Sequence, residues 1–364
     1  MSEQPAKELP PVNHEMVTLA RESRGLLQSQ AAKLLGLYQG RLSKIESGLT
    51  SADEDIRRKL SAVLCYPPEF FSLKNSVFGP GTSEFFHRKL QSTPARKLRQ
   101  IHAEINIRII HIERLLRAID IEKDNIPRID LEERRWSVSD VARAVRATWN
   151  LPPGPVQTVV NSIEAAGGLV IPCKFDCVNI DALSRYIPGL PHLFFVDDSL
   201  LGDRLRMTLA HELGHAVLHR LPNPDMEDQA FQFAAEFLMP EKEIRPQFDQ
   251  VTLAKLGTMK QVWKVSMAAL LKRAGDLGKI SPDMKRYLWT KMSKSGYRTR
   301  EPAEFDVPIE EPRMLKQIIE VHQNDLGYGL GDLSKLLFLD KEEAQLKYNI
   351  VPSKTESKLR LRAI

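Results

Sequence analysis

The most specific chemistry in the chain belongs to His211, Glu212 and His215, spaced H-E-x-x-H within the run MTLAHELGHAVLH from Met207 to His219. That run has no proline and is rich in alanine and leucine, which predicts a helix. On a helix, residues four apart lie one above the other, so the two imidazoles can meet a single metal ion. Nitrogen and carboxylate donors suit zinc. Glu212 is turned about 100° from that pair, yet within reach of a water on the metal, which is the position of a general base. Leu209, Leu213, Val217 and Leu218 make the helix apolar around much of its circumference, so burial is expected. Buried imidazoles and a buried carboxylate need partners, and a metal supplies them.

A catalytic zinc usually takes three protein ligands and keeps one position open. The next helical stretch, MEDQAFQFAAEFLMP from Met226 to Pro240, offers Glu227 and Glu236. Glu227 is in phase with Ala230 and Ala234, small residues that let two helices approach closely, and is the preferred third ligand. Glu236 is the alternative; it lies off that face and is expected to point to solvent. His219 sits about 6 Å further along the ladder than His215, so it is expected to pack or to support a ligand.

TLAHELGHAVLH followed by E-x-x-A-x-x-F-A-A-x-x-L-M-P, within Leu193 to Pro240, resembles the ImmA/IrrE family of bacterial metallopeptidases. The resemblance implies a zinc endopeptidase with His211, His215 and Glu227 as ligands and Glu212 as catalytic base. Zinc would lower the pKa of its water towards about 7, and Glu212 would take the proton and pass it to the leaving amine. Phe231 stands where the family commonly has Asn or Asp, a departure that touches a contact behind the ligands. Members of this kind cleave partner repressors, so the resemblance implies a protein substrate, an XRE-type repressor or another regulatory protein. Tyr186 and Tyr297 are candidate donors to the oxyanion. A strand is predicted at His192–Val196, directly before the metal helix; by analogy with other zinc peptidases it would pair with an extended substrate.

Val17 to Lys74 reads as five short helices. Apolar and small residues at Ala31, Ala32, Leu35, Leu37, Leu42 and Ile45 describe two helices separated by a turn at Gly36, a helix-turn-helix pattern. Leu42 and Ile45 face the core, which leaves Tyr38, Gln39, Arg41 and Lys44 outward at the start of the second helix, where such folds reach base edges. Gln can bond adenine, Arg guanine and Lys phosphate. Gln28 opens the preceding helix and is placed to bond a backbone phosphate. Gly40 lowers helix stability by about 1 kcal/mol relative to alanine. With G-L-x-Q at Gly25–Gln28 and S-K-I-E-x-G at Ser43–Gly48, the segment resembles XRE (phage-repressor-like) domains. That implies binding to a double-stranded DNA operator.

These elements sit in a chain of 364 residues, 42% hydrophobic and 27% charged, with net charge +5 and a pI near 9.0. The length calls for two or three domains, and the composition is that of a globular protein without a membrane span. The polar N-terminus lacks the apolar core of a secretory signal. Cys65, Cys173 and Cys177 are too few for a disulfide framework and suit a reducing bacterial cytoplasm. The expected fold is mainly α with a small β-sheet (α+β). Its expected divisions are a disordered arm at 1–14, a five-helix helix-turn-helix domain at 15–76, a linker at 77–95, a zincin-like metallopeptidase domain at 96–245 and a helical C-terminal region at 246–364.

The remaining stretches give smaller expectations. Leu98, Ile101, Ile105, Ile109, Ile112, Leu116 and Ile119 form one helical stripe, preferred as a core face, with a homodimer seam as the alternative. Arg134, Arg135, Arg143 and Arg146 read as a solvated face. LVIP at Leu169–Pro172 reads as a strand, and Val251–Gly278 as two helices. GYRTREP, Gly296–Pro302, is expected to border the cleft. GDLSKLLFLDKEEAQ, Gly331–Gln345, has weak helix-turn-helix character without the makings of a second DNA reader, and the basic tail SKTESKLRLRAI is expected to be mobile. The functional reading is a DNA-binding regulator with zinc endopeptidase activity; the alternative is a regulator or antitoxin-like protein whose peptidase fold senses or binds without catalysis.

Overall fold

A computed structural model describes residues 9–79, 94–119, 121, 125–176 and 180–351. Residues 1–8 of the expected arm, most of the expected linker, Cys177 and the basic tail lie outside the described residues. The chain is mainly helical with one small sheet, as its periodicities require. No described helix is long and apolar enough to cross a membrane.

The chain begins with α1 (His14–Ser23), α2 (Gln28–Leu35), α3 (Gln39–Glu46) and α4 (Glu54–Leu64), then a 3₁₀ turn at Pro68–Ser72 and the long α5 (Ala95–Leu116). Asn13 caps α1 through the Glu15 N–H, and Asp53 caps α4 through the Ile56 N–H; each satisfies a donor the helix cannot. Gly36 ends α2 with φ of 67°, a left-handed value that a residue without Cβ adopts at little cost. The peptidase-like part follows as α6 (Leu131–Arg134), α7 (Val138–Thr148), α8 (Val159–Ala165), β1 (Leu169–Cys173), β2 (Ala182–Arg185), β3 (Leu193–Asp197), α9 (Gly202–Leu218), α10 (Met226–Leu238), α11 (Glu241–Ile244), α12 (Leu253–Trp263), α13 (Met267–Asp276) and α14 (Pro282–Lys294). The last three helices of the described residues are α15 (Met314–Asn324), α16 (Leu330–Leu337) and α17 (Lys341–Tyr348).

The described residues cluster into two compact units. One holds residues 9–79, 94–119 and 316–351, so α5 and the last helices pack with the helix-turn-helix, which differs from the expected boundaries at 96 and 246. In α5, Ile101, Ile105, Ile109 and Ile112 are buried, as are Ile107 and Ile110 on the other side. Its stripe is covered by the chain itself, chiefly by α1 and α16, so it is a core face and not a dimer seam. His111 Nδ1 lies 2.6 Å from the Tyr348 hydroxyl, and Lys347 pairs with Glu104 at 2.9 Å, holding α17 on α5. The α16–α17 pair repeats the dimensions of α2–α3: two eight-residue helices, with a left-handed residue at the break, Phe338 here and Gly36 there.

The other unit is built from residues 121–315. Its sheet has the order β1-β3-β2, with β3 parallel to β1 and antiparallel to β2. All five residues of β3 are buried, as suits a strand with neighbours on both edges. α9 and α10 pack against each other below it. Arg146 departs from the expected solvated face: it is buried, and its guanidinium donates to the carbonyls of Phe237, Pro152 and Gly154 at 2.6–2.8 Å. Three carbonyls accept its donors and offset its burial, so charge alone misplaces it. Arg206 of α9 is likewise fully buried, donating to Val156, Gln157 and Lys264 carbonyls and to Glu310.

The closest approach of α9 to α10 is at Gly214, where an added Cβ would lie 3.1 Å from the Ala230 Cα and 3.2 Å from its carbonyl oxygen. Backbone cannot swing aside as a side-chain tip does. Gly214→Val is expected to lower stability by about 1–3 kcal/mol through overpacking, read as a drop of several degrees in thermal unfolding, whereas Gly→Val at exposed Gly40, with open space around it, should cost no more than a helix-propensity difference.

Candidate metal centre and cleft

Most of α9 is buried, and with it His211, Glu212 and His215, at 5%, 1% and 4% exposure. Glu227, in the first turn of α10, faces them. His211 Nε2 and His215 Nε2 lie 3.0 Å apart, and the Glu227 carboxylate stands 3.6 Å from the first and 3.2 Å from the second. Donor atoms about 2.1 Å from a tetrahedral ion lie about 3.4 Å from one another. These three separations fit that figure, so two imidazole nitrogens and a carboxylate are disposed as a zinc-type donor set.

Two neutral imidazoles are needed for this role. Burial pushes the His215 pKa below its ordinary value, against the opposing pull of Glu227, and pushes His219 down to about 4. His215 Nδ1 lies 3.0 Å from His219 Nδ1, and His219 Nε2 lies 2.9 Å from Gln229 Oε1. The consistent tautomers run in one direction: His219 Nε2–H donates to Gln229, leaving its Nδ1 to accept from His215 Nδ1–H. The lone pair on His215 Nε2 is then presented to the metal position, the usual duty of a group behind a histidine ligand. His219 itself is the residue just after α9, in extended backbone. Phe231 packs its ring 4.3 Å from that of His211, so an aromatic face stands where a polar contact is usual.

Glu236 is not part of this group. It is 1% exposed, contrary to the solvent-facing position expected, and it is clamped by Arg273 and by Arg143 at 2.9 Å, with the Glu241 N–H at 3.3 Å. Two guanidinium groups and a helix N-terminus make burial of that carboxylate tolerable.

Glu212 accepts a hydrogen bond from Ser184 Oγ at 2.7 Å. Ser184 lies on β2, a four-residue strand, Ala-Leu-Ser-Arg, with no β-branched residue to announce it. The expected substrate strand at His192–Val196 becomes β3, whose two edges are already paired. It has no free edge to offer; the edge bordering the site is β2. Beside the metal position opens a cleft of about 340 Å³, lined by Leu183, Met207, His211, Glu212, Phe231 and Tyr297 among others. Tyr297 therefore borders the cleft and Tyr186 does not; Tyr186 instead carries the Arg128 guanidinium over its ring. At its polar end, buried Lys260 bridges Asp203 at 2.6 Å and Glu301 at 2.7 Å. Burial opposes the Lys260 charge, but the two carboxylates outweigh it and raise its pKa. Ser184, Gln229 and Lys260 escape sequence reasoning because their roles arise from elements far apart in the chain.

In the other unit, Tyr38, Gln39, Arg41 and Lys44 are exposed at the start of or along α3, Tyr38 at 90%. Gln28, the first residue of α2, donates through Nε2 to Glu46 at 3.0 Å and stands 3.5 Å from the Gln39 amide. Arg41 is 3.9 Å from Asp53.

Residues 164–274 match the IrrE N-terminal-like domain of the M78 peptidases, and residues 18–71 match a helix-turn-helix domain. The chain joins a helix-turn-helix domain to an IrrE-like peptidase-family domain. No match is found among curated proteins. The IrrE-like match takes in the sheet, α9 and α10 and ends within α13, so Tyr297 and Glu301, on the far wall of the cleft, lie beyond it. The two matches describe a DNA-binding regulator that carries a peptidase-family domain.

His219→Ala and Gln229→Leu should each lower metal affinity 10- to 100-fold, measured by chelator competition. Glu236→Ala should leave the metal-to-protein ratio unchanged yet destabilise the fold by about 3 kcal/mol, because it strands buried Arg273; denaturant unfolding reads the difference.

Proposed function

We propose that the protein is a DNA-binding regulator whose second unit is a zinc-dependent endopeptidase acting on another regulatory protein, with an XRE-type repressor as the preferred substrate. The observation that carries the reading is the convergence of His211, His215 and Glu227 to mutual distances of 3.0–3.6 Å, with Glu212 beside them at the mouth of a cleft.

His211, His215 and Glu227 would hold the metal, which as zinc would supply Lewis acidity towards a peptide carbonyl and a water. Glu212 is the base that takes the proton of the attacking water and returns it to the departing amine. The hydroxyl of Ser184 donates to one oxygen of that carboxylate and so orients it. Extended substrate adds to the outer edge of β2, where main-chain hydrogen bonds set its register and the cleft receives side chains. Tyr297, which lines the cleft, is the candidate donor to the oxyanion. The helix-turn-helix, through Gln28, Tyr38, Gln39, Arg41 and Lys44, brings this chemistry to an operator.

The test is metal analysis of purified protein by mass spectrometry together with cleavage of candidate repressors. One zinc per chain is expected, with cleavage lowered 10²- to 10⁴-fold by Glu212→Gln and about tenfold by Ser184→Ala, both variants retaining their zinc. Intact repressors with the wild-type protein, or equal behaviour of wild type and Glu212→Gln, would leave a regulator without peptidase chemistry.

A further inference from the structure

We propose that Arg96 and Arg99, at the start of α5 and outside the helix-turn-helix match, form a clamp for the phosphodiester backbone of duplex DNA. The proposal rests on the DNA-binding reading given above and extends its contact surface beyond α2 and α3.

The first turns of α5 lie against the corner between α1 and α2. Arg96 Nε donates to the Gly25 carbonyl at 2.7 Å, and Arg99 Nε stands 3.5 Å from Glu22 Oε1. The Arg96 guanidinium is thus held through Nε, and that of Arg99 is drawn towards Glu22 more loosely. Among the described residues, the Nη nitrogens of both have no acceptor. Both arginines are exposed. A guanidinium fixed at one end, with its outer fork open, is pre-arranged for bidentate bonding to phosphate oxygens.

Their position decides the ligand. Arg96 and Arg99 share one groove of about 510 Å³ with Leu27, Gln28, Ser29 and Gln39. The groove is therefore bounded by the opening residues of both helices of the reading head. Leu27 stands at the N-cap of α2 and has no side-chain acceptor to quench the first N–H groups of that helix, so the helix end adds to the same positive field. The neighbouring acids are already committed: Glu46 to Arg21 and Gln28, and Glu22 to Arg21 and Arg99. The Arg99–Glu22 pair at half-exposed separation contributes little to stability, so a purely structural role would leave small traces.

The experiment uses the full chain and a random-sequence DNA duplex of about 20 base pairs, chosen because phosphate contacts act without regard to sequence. Affinity is measured across a salt series for wild type, Arg96→Ala, Arg99→Ala, the double variant, and Arg117→Ala. Arg117 lies at the other end of α5, about 27 Å along the axis from Arg99, and serves as a control of equal charge. Each phosphate contact contributes about 0.9 to the slope of log affinity against log salt. The slope should shrink by about one for each single variant and about two for the double, and stay at the wild-type value for Arg117→Ala. An unchanged slope in the double variant overturns the clamp, and so does an equal loss in Arg117→Ala, which would mark a diffuse charge effect. Absence of wild-type binding at any salt would overturn the DNA-binding reading itself.

Discussion

The candidate catalytic geometry depends on one steric fact, the near contact of two helix backbones at Gly214 and Ala230. A helix carries its side chains at fixed angles, so the distance between helix axes sets how far a carboxylate on one can reach towards imidazoles on the other. With Gly214 in α9 and Ala230 in α10 the backbones meet, and Glu227, one turn before Ala230, faces His211 and His215. The metal position is thus a product of packing between small residues.

Buried cations hold that packing in place. Arg206 ties α9 to the chain before α8 and to Glu310, Arg273 grips Glu236 at the end of α10 beside the exposed Arg143, and Arg146 closes over the carbonyl of Phe237. Each is satisfied by carbonyls or carboxylates, which is the condition on which charge is tolerated in a core. The result is a frame around His215 and His219, whose pKa values burial lowers.

What the sequence made legible follows from period and spacing. H-E-x-x-H lies on one helix turn, and the phase of Glu227 with Ala230 and Ala234 selects it over Glu236 without knowledge of the fold. Gly36 marks its turn because only a left-handed residue fits there. Hidden were the features that need a partner from elsewhere. Ala182–Arg185 is too short and too lacking in β-branched residues to read as a strand, so neither the serine bonded to Glu212 nor the outer sheet edge shows in the sequence, and the paired edges of β3 forbid the substrate pairing its pattern suggests. Arg146 and Glu236 look solvent-facing by type; only the positions of distant carbonyls and guanidinium groups bury them. The fifth helix of the N-terminal domain is a 3₁₀ turn, since Pro67 and Pro68 cannot supply the N–H groups of a longer start.

The α16–α17 pair has the same helix lengths and the same left-handed break as α2–α3, but its second helix opens with Asp340, Lys341, Glu342 and Glu343 where α3 opens with Tyr38, Gln39, Gly40 and Arg41. Glu343 is spent on Arg24 and Lys347, and the remaining acids would repel a polyanion. Shape and valency are therefore uncoupled in this protein: of two helix pairs alike in length and break, α2–α3 lies within the helix-turn-helix match, and α16–α17 presents acids where α3 presents polar and basic residues.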